Sequence, residues 1–145
     1  MKRSLHVGWF VLCENAVVDN PTNNISIFTC IENMEVSALP AVMPSITFVF
    51  YLFKDDQQDL SAVSFKYRVM AKPPEGDAIQ LVFGEVNESP GSRFRVRHAF
   101  RGLRFEKVGT RWFTLEIDTD GTWAEVGRLP LTIEVRAPVQ VQVQG

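Results

Sequence analysis

CENAVVDNPTNNISIFTC, residues 13 to 30, holds both cysteines of the chain and is centred on a cluster of turn residues. Asn20, Pro21, Thr22, Asn23 and Asn24 interrupt any regular element, while β-branched and aromatic residues fill the flanks. The stretch therefore reads as two strands folded about a point between Pro21 and Thr22. Facing residues then have numbers of constant sum, and Cys13 faces Cys30. Hydrophobicity supports the register. One face collects Leu12 with Ile31, Ala16 with Ile27 and Val18 with Ile25, an apolar set suited to a core. The other collects Val11 with Glu32, Cys13 with Cys30, Asn15 with Phe28 and Val17 with Ser26, a mixed and partly wet face.

Outward from this hairpin the dominant period remains two, and no helical stripe of any length interrupts it. Strands are expected over Leu5 to Asp19, Ile25 to Glu35, Ile46 to Lys54, Ala62 to Lys72, Ala78 to Val86, Arg93 to Phe105, Trp112 to Thr119, Trp123 to Val126 and Leu131 to Arg136. NPTNN, LPAVMP, KDDQQD, KPPEGD, NESPGS, KVGT, DTDG and GRLP punctuate them. Pro40 and Pro44 make Ser37 to Ser45 a loop rather than a helical turn. The fold class is all-β: a single-domain, two-sheet antiparallel β-sandwich of about eight or nine strands over residues 1–145. At the end, Val139, Val141 and Val143 alternate with glutamines, so residues 137–145 form a tail or an edge strand that pairs with its own sheet or with another molecule.

The Cys-Glu pair near the start, the polar turn, the NISIF strand, the LPAVMP loop and the aromatic ITFVFYLF strand together resemble a family of small uncharacterised bacterial and phage-associated β-proteins. LRFEKVGTRWFTLEIDTDGTWAEVGRLPLTIEV is similar to the C-terminal half of that family. The resemblance covers most of the chain. It implies a sandwich of this strand count, supplies no catalytic residues, and carries no assigned function.

Composition narrows the classes further. The 145 residues suffice for one core, and 46% hydrophobic with 22% charged residues is ordinary for a globular chain. Fifteen basic against seventeen acidic residues give a net charge of −2, so a charge-driven partner needs a local patch. MKRSLHVGWFVLCENA imitates a signal peptide, but His6, Gly8 and Glu14 interrupt its apolar run and no small-residue cleavage site follows. The next longest apolar run, Ile46 to Phe53, is far short of the roughly twenty residues of a membrane helix. A cytoplasmic protein with reduced thiols is expected. Two cysteines supply half of a zinc site and His6 and His98 lack ligand spacing, so no cofactor is expected and the cysteines read as packing residues. A disulfide is sterically allowed across such a pair but disfavoured in a reducing compartment.

The strongest charge feature is RFRVRHAFRGLR. Arg93, Arg95 and Arg97 alternate with Phe94, Val96 and His98, so a strand lines three guanidinium groups along one face, with Arg101 beyond. Lys66 and Arg68 repeat the alternation and extend the stripe if the strands are neighbours. The result is either an anion-binding face or a solvated face neutralised by Glu85, Glu88 or Glu116. No RNP-like aromatic motif accompanies the arginines, which argues against nucleic acid. Asp118 and Asp120, with Asp55, Asp56 and Asp59, sketch a calcium site resembling those of C2 domains, although Asp-Gly is first a hairpin signal. Catalytic signatures are absent, and His98 sits on the apolar phase of its strand. ITFVFYLF barely alternates, so both its faces need cover. Trp9 and Met34, placed on the outer face of the first hairpin, add to that demand, which together with the valine tail motivates a homo-oligomer. The expected function is a non-catalytic protein-binding or self-associating module. An anion or nucleic-acid binder using Arg93 to Arg104 is the alternative, and a calcium-dependent membrane binder the third; nucleic acid and membrane partners rank below protein.

Overall fold

The alternation in VSFKYRVMAK sends Val63, Phe65, Tyr67, Val69 and Ala71 to one side of a strand, and the same period in RWFTLEID sends Phe113, Leu115 and Ile117 to the same side of its neighbour. Repeated along the chain, this pattern builds two layers. A computed structural model describes residues 5–136. The strands are β1 (Leu5–Val18), β2 (Ile25–Cys30), β3 (Asn33–Val36), β4 (Ala41–Lys54), β5 (Val63–Lys72), β6 (Ile79–Ser89), β7 (Arg93–Phe105), β8 (Gly109–Asp118) and β9 (Trp123–Val135). One sheet has the order β2-β1-β4-β7 and the other β3-β9-β8-β5-β6. The described residues contain no helix long and apolar enough to cross a membrane.

Between the layers lies a core of Leu12, Ile46, Phe48, Phe50, Leu52 and Phe105 from the first sheet against Phe65, Val69, Phe113, Leu115, Leu131 and Ile133 from the second. Edge-to-face contacts of Phe48 with Phe113 and Phe50 with Tyr67, at centroid separations of 5.4 and 5.2 Å, join the layers. Tyr67 also brings its hydroxyl within 2.9 Å of His98 Nδ1 on the opposite sheet, so His98 is a half-buried, satisfied core histidine. Gly84 on β6 makes room for this ring, because a Cβ there would collide with it.

The all-β, two-layered expectation holds, but uniform antiparallel pairing does not: β3 runs parallel to β9. The predicted Ile25 to Glu35 strand is in fact two. The chain leaves the first sheet after Cys30, buries Ile31 in the core, and enters the second sheet at Asn33. Conversely, GRLP does not end a strand, and β9 runs through it. Pro130 is tolerated because β3 begins its pairing at Thr132, so β9 has a partner on one side only at that point. β4 likewise starts at Ala41 and crosses Pro44. The ladder with β7 lapses there opposite Gly102, whose φ of 76° suits glycine. That lapse reverses the facing of both strands: Ile46 and Phe100 reach the core on one side of it, Met43 and Leu103 on the other. The valines at 139, 141 and 143 lie outside the described residues.

Candidate functional site

The first hairpin has the predicted register, with Cys13↔Cys30, Asn15↔Phe28, Ala16↔Ile27, Val17↔Ser26 and Val18↔Ile25 as facing pairs. Its predicted faces require correction. Leu12 and Ile31 enter the main core, whereas Ala16, Ile25 and Ile27 join Cys13, Val11 and Trp9 over Val49 on the opposite side of the sheet. The reversal falls where pairing lapses between Cys13 and Asn15, opposite Thr29 with its φ of 54°. Beyond that point the hairpin curls across the outer face of its own sheet.

This curl covers the second face of ITFVFYLF. Thr47 and Val49 are buried beneath it, and Cys13 Sγ points to the Thr47 carbonyl at 3.5 Å. The demand for cover that motivated a homo-oligomer is met at these positions by the chain itself. Both cysteines are free thiols, Cys13 buried and Cys30 exposed. Burial, reinforced by the neighbouring Cys30, raises the Cys13 thiol pKa, which disfavours the reactive thiolate.

The hairpin turn is shaped by Asp19, whose carbonyl accepts from Asn23 N at 2.7 Å and whose carboxylate accepts from the Thr22 backbone and hydroxyl. Asn23 adopts φ 56°, a conformation that asparagine tolerates. So placed, the turn reaches β7 at the far edge of the four-stranded sheet. Arg95 donates from Nη1 to the Asn23 carbonyl at 3.0 Å and from Nη2 to Asn23 Oδ1 at 3.2 Å, and Arg97 donates to the Ala16 carbonyl at 2.9 Å.

Between turn and sheet lies a cleft of about 1020 Å³. Its floor carries Trp9 stacked beside Tyr51, with centroids 5.9 Å apart and planes 17° from parallel. Arg93, Arg95 and Arg97 line one wall, and Asn20, Asn23 and Asn24 line the other. Among the described residues the three arginines donate to neutral acceptors: Gln57 Oε1 for Arg93, Asn23 for Arg95 and Ala16 for Arg97. Among the described residues the ion pairs fall elsewhere, and no carboxylate, histidine or cysteine lines the cleft. Each guanidinium has five N–H donors, so donors remain for an anion.

The alternating arginines thus share one face, as the sequence predicts, because β7 pairs Arg93, Arg95 and Arg97 with Phe53, Tyr51 and Val49. Arg101 lies further along, exposed beside Ser45 and away from the cleft. Lys66 and Arg68 do not extend the stripe: β5 belongs to the other sheet. There Arg68 donates to Glu116 at 2.8 and 3.4 Å and stacks over Trp123 at 4.2 Å, while Lys66 lies in register with Glu85 and Asp118. Met34 is also elsewhere, on β3, packed against the main core rather than on the outer face of the hairpin. Tyr51 and the asparagine wall are cleft residues that sequence reasoning missed.

As for the aspartates, Asp118 Oδ1 accepts from the Asp120 and Gly121 amides at 3.1 and 2.6 Å, which makes it the cap of the β8–β9 turn. Asp56 and Asp59 accept from Gln58 and Ser61 amides within their own loop. Among the described residues no group of three or more His, Cys, Asp and Glu could hold a metal ion.

Two packed sheets, with no helix among the described residues and one sheet curling its first hairpin over a basic and aromatic cleft, define the class as an all-β, sandwich-like protein. Within it, this chain belongs to DUF6941, a family of unknown function whose model matches residues 8–134. No curated protein matches the sequence. Among solved structures, a β-glucosidase from Listeria innocua in complex with glucose is similar in fold, with a TM-score of 0.50 and 7% identity over 94% of this chain; the match spans 16% of the glucosidase. The CARDB domain of a Pyrococcus furiosus protein, in complex with di-metal ions, matches with a TM-score of 0.49 and 8% identity over 92% of this chain and 96% of that one.

Proposed function

We propose that this protein is a non-catalytic binding module whose cleft takes an anion bearing flat rings, the chemistry of single-stranded nucleic acid. The carrying observation is the convergence, in one cleft, of three guanidinium groups without carboxylate partners among the described residues and a Trp9–Tyr51 platform. Single-strand binders combine the same two elements, a basic track for phosphates and aromatic faces for bases. Phe94 points to the core, and the aromatic partners on the arginine face come instead from β1 and β4. A net charge of −2 is compatible, because the attraction is local. Cleft walls without carboxylate, histidine or thiol support binding rather than turnover. Titrating the protein with a short oligothymidylate and, separately, with polyglutamate tests the reading. Saturable binding of the first with little of the second supports it; equal binding of both points to an acidic protein partner, and binding of neither rejects the cleft as an anion site.

Self-association keeps one support. Phe28, 52% exposed on the edge strand β2, and Val17, 46% exposed beside it on β1, leave an apolar spot on the hairpin side opposite Val49. Light scattering at micromolar concentration separates the readings, and a monomeric mass excludes this one.

A further inference from the structure

RWFTLEID places Arg111 in phase with Phe113, Leu115 and Ile117, on the core side of β8. The residue is 8% exposed, and its guanidinium lies over the Phe105 ring at 4.2 Å. Protein satisfies it poorly. Nη2 donates one long bond to the Lys107 carbonyl at 3.3 Å, and the buried Nε has no acceptor. The other buried cation among the described residues, Lys54 at the opposite end of β4, shows what a satisfied one looks like. Its ammonium donates to the carbonyls of Asp59 and Ser61 at 3.1 and 2.6 Å and has the Asp59 carboxylate 3.6 Å away. A buried cation without such partners is costly, and a fold retains one most readily where something else completes it.

Arg111 also lines a cavity of about 290 Å³ at its end of the molecule, where β6 and β7 flank the opening between the layers. Ala71, Pro73, Pro74, Ile79, Leu81 and Leu103 give that cavity apolar walls. The charged groups around it are Glu75, Arg104, Glu106 and Lys107. They pair among themselves, Lys107 with Glu75 at 2.8 Å and Arg104 with Glu106 at 3.1 Å, so neither carboxylate is the counterion of Arg111. Burial lowers the Arg111 pKa, but a guanidinium stays protonated at neutral pH.

We propose that this cavity is a second binding site, independent of the hairpin cleft, for a small organic monocarboxylate whose head pairs with Arg111 and whose apolar tail lies against Pro74, Ile79 and Leu81. The volume falls at the small end of ligand sites, which favours a short aliphatic or aromatic acid over a nucleotide. A carboxylate matches the planar guanidinium fork and supplies acceptors to the Nη donors that the single Lys107 bond leaves free.

Amide chemical shifts of the whole protein, followed during titration with hexanoate and with hexanol, test the site. Hexanoate is expected to shift amides of residues 71–81 and 103–113 saturably at millimolar concentration, with hexanol at least tenfold weaker. Arg111→Met is expected to abolish the hexanoate response while leaving the melting temperature of the ligand-free protein unchanged or higher, since it removes an unmatched buried charge. Equal shifts from acid and alcohol, or none from hexanoate on the unaltered protein, would overturn the proposal whatever the variant does. A folded Arg111→Met protein that still binds hexanoate would do the same.

Discussion

On the outer face of the five-stranded sheet, Arg68 lies between the Glu116 carboxylate and the Trp123 ring, and Lys66 faces Glu85 and Asp118 across the ladders. On the outer face of the four-stranded sheet, Arg93, Arg95 and Arg97 have amide and carbonyl oxygens as partners, and an overhanging hairpin turns their surroundings into a cleft. Both faces arise from the same alternation of basic and apolar residues. What separates them is the neighbouring strand: β8 brings Glu116 to Arg68, while β4 brings Tyr51 to Arg95. A basic stripe acquires binding capacity from the residues that fail to neutralise it.

Removing the common support has the largest effect. Phe48 is fully buried and contacts Phe10 and Phe113 on either side, so Phe48→Ala should destabilise the protein by about 3–5 kcal/mol and weaken both faces together. Chemical denaturation measures it; a loss below about 1 kcal/mol would mean that the layers do not share this core. Next, Trp9→Leu keeps an apolar residue over the sheet but removes the ring, and oligothymidylate affinity should fall by about 1–3 kcal/mol, with no change expected from Trp123→Leu on the other face. Third, Arg68→Ala should cost about 1 kcal/mol of stability, since it removes a partly exposed ion pair and a ring contact, and should leave affinity unaltered. The smallest and sharpest change is Asn23→Asp. It puts a carboxylate where Oδ1 already lies 3.2 Å from Arg95, making the first face resemble the second. Thermal melting should show stability equal or raised by less than about 1 kcal/mol, while affinity drops several-fold; unchanged affinity would remove Arg95 from the binding surface.

Much of this was legible. Turn residues fix the centre of the first hairpin, and the centre fixes the pairing of Cys13 with Cys30. Alternation likewise puts Arg93, Arg95 and Arg97 together. Facing beyond Cys13 was not legible, because it depends on Thr29 adopting a left-handed backbone that β-branched residues rarely take. Nor was strand order: Lys66 and Arg68 have the same pattern as the β7 arginines and belong to the other sheet. The cleft itself follows from the curl that carries Asn20 to Asn24 toward β7, a long-range event with no local signature. Arg111 did leave a signal, since it continues the core phase of Phe113 and Leu115 by one more step, but beginning that strand at Trp112 hides it.

The most direct test compares two charge-neutralised proteins in one binding assay. Oligothymidylate affinity is measured against salt for the unaltered chain, for Arg93→Gln with Arg97→Gln, and for Lys66→Gln with Arg68→Gln. Three phosphate contacts predict a slope of log affinity on log salt of about −2 for the unaltered chain and for the second-sheet variant, and of less than about −1 in magnitude for the first-sheet variant, with weaker binding throughout. Equal losses in the two variants, or an unaffected first-sheet variant, would contradict the assignment of the cleft as the anion site.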